Sequence, residues 1–154
     1  MDSISTDLRP SAYVGEPHRQ ILVYGRPIDL VLSDLAPNED LRGLVPAFEF
    51  LLDEHERSIA NPRLFDLKPG THLVPLLICP DDLDFSCTVV IVEVIIHSSA
   101  VTWSRIGRDA TNSADPTQVG FNVSWFDNIP AFTFALQQYR NALQSLSSST
   151  TTAE

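Results

Sequence analysis

Residues 86–97 constrain the fold more than any other stretch of the chain. They read SCTVVIVEVIIH, with apolar side chains on both alternating faces of the segment. Such a run is typical of a strand whose two faces are both covered by packed residues. We therefore expect this segment to form the central strand of a sheet. Its one acidic residue, Glu93, is costly to bury unless it is paired or protonated.

Shorter apolar or alternating runs predict the other strands, and helical periodicity predicts two helices. The predicted strands are 20–24, 28–32, 71–79, 101–107 and 119–125. The first helix is predicted over 46–60, where Asn61 and Pro62 end it, and the second over 131–146. The predicted fold class is α+β, with a mainly antiparallel sheet of five or six strands and two helices.

The length of the chain, 154 residues, fits one domain. Residues 1–19 show neither helical nor alternating periodicity, so we expect a flexible N-terminal arm. Residues 20–146 form the single α+β domain. Residues 147–154 consist almost entirely of serine and threonine, which predicts a disordered tail.

Acidic residues outnumber basic ones by 20 to 10, which gives a net charge of -10. This surplus repels nucleic acid and anionic membranes and favours encounter with a basic protein. The first residues lack the basic and apolar segments of a signal peptide, and no run is long enough for a membrane helix. We therefore expect a cytoplasmic protein.

Two acidic segments are the candidate partner-binding residues. Asp81, Asp82 and Asp84 crowd the segment CPDDLDF, but the spacing of an EF-hand is absent. These acids either lie on a solvated loop without a binding role or form a negative patch that docks an Arg or Lys of a partner. The second segment consists of Asp53, Glu54 and Glu56.

The sequence predicts no cofactor and no metal site. The two cysteines, Cys79 and Cys87, lack the spacing of a zinc knuckle or a redox motif, and the histidines are scattered. We expect buried free thiols, because a reducing compartment disfavours the disulfide that a hairpin at this position would allow. Trp125 and Phe126 are interface anchors if they are exposed, and otherwise part of an aromatic core.

No catalytic residue is predicted, and the chain is not expected to be an enzyme. Three interpretations of Glu93 remain open: a general acid or base with a raised pKa, a side chain on the solvated face of the sheet, or an ion pair with Arg105 on the neighbouring strand. The known serine-nucleophile and phosphate-loop motifs are absent from the sequence.

A final strand, VGFNVSWF, followed by a helix, in a small acidic α+β chain without catalytic motifs, resembles bacterial immunity proteins that neutralise toxins. The resemblance implies binding to one toxin and occlusion of its active site. A secretion chaperone for an effector is an alternative, as is a small-ligand-binding protein or enzyme that uses Glu93 in a pocket. Pairing through a strand edge near Pro75 would give a homodimer.

Overall fold

The structure is a computed structural model, and it describes residues 1–148. Its strands are β1 (Ile4–Arg9), β2 (His18–Val23), β3 (Arg26–Pro27), β4 (Val45–Pro46), β5 (Gly70–Ile78), β6 (Val89–Ile96), β7 (Ala100–Asp109), β8 (Val123–Trp125) and β9 (Phe132–Ala135). Its α-helices are α1 (Ile28–Leu35), α2 (Ala47–Phe50), α3 (Glu54–Phe65) and α4 (Leu136–Ser148). Short 3₁₀ turns cover Pro37–Glu39 and Pro116–Gln118.

The main sheet is antiparallel and has six strands in the order β4-β5-β6-β7-β8, with β9 paired to β7. Strand β6 is central, and its residues 89–92 are almost completely buried. The predicted α+β class and the central position of this segment are therefore confirmed. Pro75 lies at a bulge of β5, where the register with β6 shifts, and β4 pairs only with Leu77 and Ile78.

The prediction of a flexible arm over residues 1–19 is wrong for its first part. Residues Ile4–Arg9 form β1, which pairs along its whole length with β2 in a second, three-stranded sheet. Only Ile4 of this strand is buried. The strand therefore shows no apolar alternation, and its backbone pairing left no signal in the sequence.

The segment 28–32 is helical rather than extended. It begins α1, whose buried residues include Ile28 and Leu32, four positions apart on one helical face. A short, mostly apolar run such as IDLVL does not distinguish a buried strand from a buried helix. The extended part of the predicted hairpin is consequently reduced to the two residues of β3.

The predicted helix over 46–60 is divided in two. Helix α2 ends at Phe50, and α3 begins after Asp53, whose Oδ1 accepts a hydrogen bond from the backbone N–H of Glu56 at 3.0 Å. Leu52 lies in the break and is 69% exposed. Helix α3 continues through Pro62 to Phe65, so Pro62 does not end it.

The last helix also begins later than predicted. Residues Phe132–Ala135 form β9, with Phe132 and Phe134 buried on alternate positions, and α4 starts at Leu136. Phe132 and Phe134 pack edge-on against Trp103, as does Tyr139. These rings form an aromatic cluster in the core, whereas Phe121 is 64% exposed. Residues 147 and 148 end α4, and 149–154 lie outside the described residues.

Candidate functional site

The start of α3 and the loop between β5 and β6 lie against each other. The backbone N–H of Leu52 donates to the carbonyl of Leu83 at 3.2 Å. The backbone N–H of Phe85 donates to Oε2 of Glu56 at 3.4 Å. The structure thereby joins the two acidic segments that the sequence presented separately. We call the combined surface the acidic face; it consists of Asp53, Glu54, Glu56, Asp81, Asp82 and Asp84.

A disulfide between Cys79 and Cys87 closes the β5–β6 loop, which spans residues 79–88. The prediction of free thiols is therefore wrong. Antiparallel pairing of Ile78 with Val89 brings the ends of the loop together, so the two cysteine Cα atoms lie 6.2 Å apart, within the range for a bridge.

The loop is ordered further by a local turn. Oδ1 of Asp84 accepts hydrogen bonds from the backbone N–H and the hydroxyl of Ser86, at 2.9 and 2.5 Å. Asp81 and Asp82 are exposed, whereas Asp84 is half-buried. The loop acids are thus carried on a short, cross-linked connection, which lowers the entropy that binding would cost.

None of the acids on the acidic face forms an ion pair with another described residue. The ion pairs within 1–148 are Arg9–Asp7, Arg26–Asp34, Arg105–Glu93 and Arg108–Glu39. The nearest cation in sequence, Arg57, donates instead to the carbonyls of Leu51 and Leu52. The negative charge of this face is therefore left without a paired cation.

Electrostatic repulsion within the face acts on Glu56. Burial raises the pKa of this carboxyl group, and the charges of Asp53 and Asp84 raise it further. The hydrogen bond from Phe85 opposes both effects. A cation bound at Glu56 would relieve the repulsion and favour the ionised carboxylate.

A groove of about 430 Å³ adjoins the acidic face. Asp53, His55, Glu56, Phe85 and Ser86 line one part of it, and residues between 113 and 116 line the rest. Acidic and aromatic groups on the same groove suit a long basic side chain, whose charged end pairs with carboxylates while its methylenes pack on the ring.

Glu93 is held in an ion pair. Its two carboxylate oxygens accept hydrogen bonds from Nε and Nη2 of Arg105, each at 3.1 Å, and Oε1 also accepts from the Ser104 hydroxyl at 2.5 Å. The hydrogen bonds from Arg105 lower the pKa of Glu93, with a smaller contribution from Ser104. This is opposite to the shift that a general acid at neutral pH requires.

Trp125 and Phe126 do not belong to the acidic face. Both are half-buried. The guanidinium of Arg105 stacks over the Trp125 ring at 4.1 Å from its centroid, and Phe126 packs against the main core. Both side chains therefore have contacts within the fold that account for their positions.

Leu52 is the residue of this region that sequence reasoning missed. The helix predicted over 46–60 includes it, but it lies outside both helices and beside the acids. The pattern Asp53-x-x-Glu56 is an N-terminal capping signal that places the helix start after Leu52.

Comparisons with family models, with curated proteins and with solved structures found no match to this chain. Within residues 1–148, no helix has the length and apolar character needed to cross a membrane.

Proposed function

We propose that this chain is a protein-binding module and that its acidic face holds a basic protein. The observation that carries the proposal is the union of two acidic segments on one surface without a paired cation among the described residues. Four acids outside the face, Asp7, Asp34, Glu39 and Glu93, do pair with arginines. Uncompensated carboxylates attract a basic partner and speed its encounter.

The neighbourhood of the acids supports a protein as the partner. Leu52 exposes an apolar side chain at the edge of the face, and the adjoining groove is lined partly by Phe85. Interfaces commonly combine an apolar centre with a polar, charged rim. The hydrogen bonds between Asp84 and Ser86 keep the loop ordered before the partner arrives, so less entropy is lost on binding.

We further propose that the partner is a bacterial toxin, as the resemblance to immunity proteins implies, and that the complex forms in the cytoplasm. A toxin that acts on an anionic substrate presents basic residues around its active site. The carboxylates of the acidic face would occupy that surface in place of the substrate. Net charge of -10 favours rapid capture of such a protein.

Neutralisation during co-expression tests this function. The chain is expressed in a bacterial host together with the product of each gene that adjoins its own. We expect one product to be toxic alone, to bind the chain and to be neutralised by it. If no product is neutralised, the toxin proposal is wrong; a product that is bound but stays active, and is exported, indicates a secretion chaperone.

Charge reversal then locates the binding surface. Asp82→Arg and Glu54→Arg should each weaken binding and make it less sensitive to salt. Asp127→Arg is the matched control, because Asp127 is exposed and follows β8 at the opposite edge of the sheet from β4. Equal affinity of all three variants and the unmodified chain, measured by calorimetry, would exclude the acidic face as the contact.

A further inference from the structure

We propose that the reduced β5–β6 loop is a zinc site formed by Cys79, Cys87 and Asp82. In the oxidised chain the two disulfide-bonded sulfur atoms and a carboxylate oxygen of Asp82 all lie within 4.8 Å of one another, so reduction would release two thiols beside a carboxylate. Two thiolates and a carboxylate are a donor set that Zn²⁺ accepts in proteins. The inference stands independently of the proposed function, because it concerns a metal and not a protein partner.

The Cα separation of the two cysteines is compatible with sulfur ligands of one tetrahedral ion. Two sulfurs bound to one zinc through bonds of about 2.3 Å lie roughly 3.8 Å apart. The Cα atoms of Cys79 and Cys87 are 6.2 Å apart, so side-chain rotation alone can provide that separation. Asp82 is the third residue after Cys79 and lies on the same short loop.

A second observation supports a metal-bound sulfur at Cys79. The backbone N–H of Thr88 points at its Sγ with an N···S distance of 3.2 Å. A backbone donor of this kind stabilises negative charge on a thiolate and fixes its orientation, as the outer hydrogen bonds of metal sites do. Cys79 is also only 9% exposed, so its sulfur is held by packing.

Solvent reaches the other side of the cluster. A groove of about 370 Å³ opens on Cys79 and Cys87 and is also lined by Asp40 and Asp81. It has room for a water molecule as the fourth zinc ligand. The additional carboxylates increase the negative potential that draws a divalent cation to the loop.

Reduction has to precede zinc binding. A dithiol reductant breaks the bond between Cys79 and Cys87, supplies two electrons and two protons, and is itself oxidised to a disulfide. When zinc binds, each thiol releases its proton to solvent and forms a sulfur–zinc bond. The loop would thus be closed by a disulfide under oxidising conditions and by a metal under reducing conditions.

Cobalt titration of the reduced, full-length chain tests the site. A thiol assay first confirms two free thiols per chain. We expect one equivalent of Co²⁺ to produce a sulfur-to-cobalt charge-transfer band and the visible bands of tetrahedral cobalt, and Zn²⁺ to remove them. The oxidised chain should show neither. Absence of the charge-transfer band in the reduced chain would overturn the proposal.

Variants identify the ligands. Cys79→Ser/Cys87→Ser should abolish the band, as should Cys87→Ser alone, which keeps the buried Cys79 in place. Asp82→Asn should weaken zinc binding by about tenfold or more. Glu54→Gln removes the same charge elsewhere on the acidic face and should bind zinc like the unmodified chain. If Asp82→Asn and Glu54→Gln bind zinc equally well, Asp82 is not a ligand and the site as proposed is wrong.

Discussion

The carboxylate of Glu56 accepts a hydrogen bond from the backbone N–H of Phe85 at 3.4 Å, and this bond couples the first turn of α3 to the β5–β6 loop. A parallel contact joins Leu52 to Leu83 through their backbones at 3.2 Å. These two contacts place acids that are far apart in sequence on one surface. The surface is therefore a product of tertiary structure and depends on the position at which α3 begins.

Glu56→Gln should stabilise the fold at neutral pH. The pKa of Glu56 is raised in the folded state, so its ionised form opposes folding above that pKa, and the penalty disappears as the pH falls below the unfolded value near 4.5. Glutamine keeps an oxygen for Phe85 without the charge. Chemical denaturation should show a higher free energy of unfolding at pH 7 and a shrinking difference towards about pH 4. Glu54→Gln, at an exposed position, is the control, and a less stable Glu56→Gln variant at pH 7 would contradict this account.

Arg105→Ala should destabilise the fold by about 1 kcal/mol, because the ion pair with Glu93 has two hydrogen bonds but lies partly in solvent. The pKa of Glu93 is lowered, so this stabilisation is present above its unfolded pKa near 4.5 and is lost as the pH falls through the folded value. The free energies of unfolding of the unmodified chain and of Arg105→Ala, measured by denaturation, should therefore differ less at about pH 3 than at pH 7.

The exposed pair of Arg26 and Asp34 supplies the comparison for Arg105. Arg26→Ala should change the free energy of unfolding by about 0.5 kcal/mol or less. If Arg105→Ala and Arg26→Ala lower the free energy of unfolding equally at pH 7, the half-buried position of Glu93 does not strengthen its ion pair with Arg105.

Tyr139 should remain protonated at pH values at which an exposed tyrosine is already ionised. Burial raises the pKa of Tyr139 to about 12, although the hydrogen bond that the Trp103 indole N–H donates to its oxygen, at 3.3 Å, opposes the shift. Stability should consequently fall as the pH rises above about 10. Absorbance titration of the folded chain should leave Tyr139 un-ionised near pH 11, and comparison with Tyr139→Phe should identify its contribution. The hydrogen bond to Asp2 also raises the pKa of Tyr24, so the difference between the two chains is the readout. Ionisation of all three tyrosines below that pH, with the fold intact, would refute the assignment.

Reduction of Cys79–Cys87 should lower the free energy of unfolding by about 2 to 3 kcal/mol, from the entropy of closing a loop of this length. The measurement is denaturation with and without a reductant, in the presence of a chelator that keeps zinc away from the thiols. Cys79→Ser/Cys87→Ser should not respond to the reductant. Identical unfolding of the oxidised and reduced chain would show that the bridge contributes nothing to stability.

The central sheet was predictable because its signal is local. Residues 86–97 are apolar on both faces, which only a strand covered on both sides explains well, and Glu93 then required a partner such as Arg105. Residues 28–32 carried an equally local but ambiguous signal, since four or five apolar residues fit a buried helix or a buried strand. In β1 the backbone pairs with β2 while most side chains face solvent, so the composition carried no sign of order.

The residues of the candidate site could be predicted from the sequence, but the surface that they form together could not. Runs of acids are visible in the sequence, whereas their union depends on Leu83 and Phe85 meeting the start of α3. The disulfide likewise follows from the register that pairs Ile78 with Val89. Such contacts between distant segments are set by packing and leave no periodic pattern to read.

Binding of basic groups to the acidic face can be tested by an amide chemical-shift titration of the isotope-labelled chain with an arginine-rich peptide. If the acidic face binds the peptide, the largest shifts should lie at 52–56 and 81–85 and should disappear in high salt. The shifts should also be smaller in Asp82→Arg than in Asp127→Arg. Shifts spread evenly over all exposed acids, or equal shifts in the two variants, would contradict binding at the acidic face.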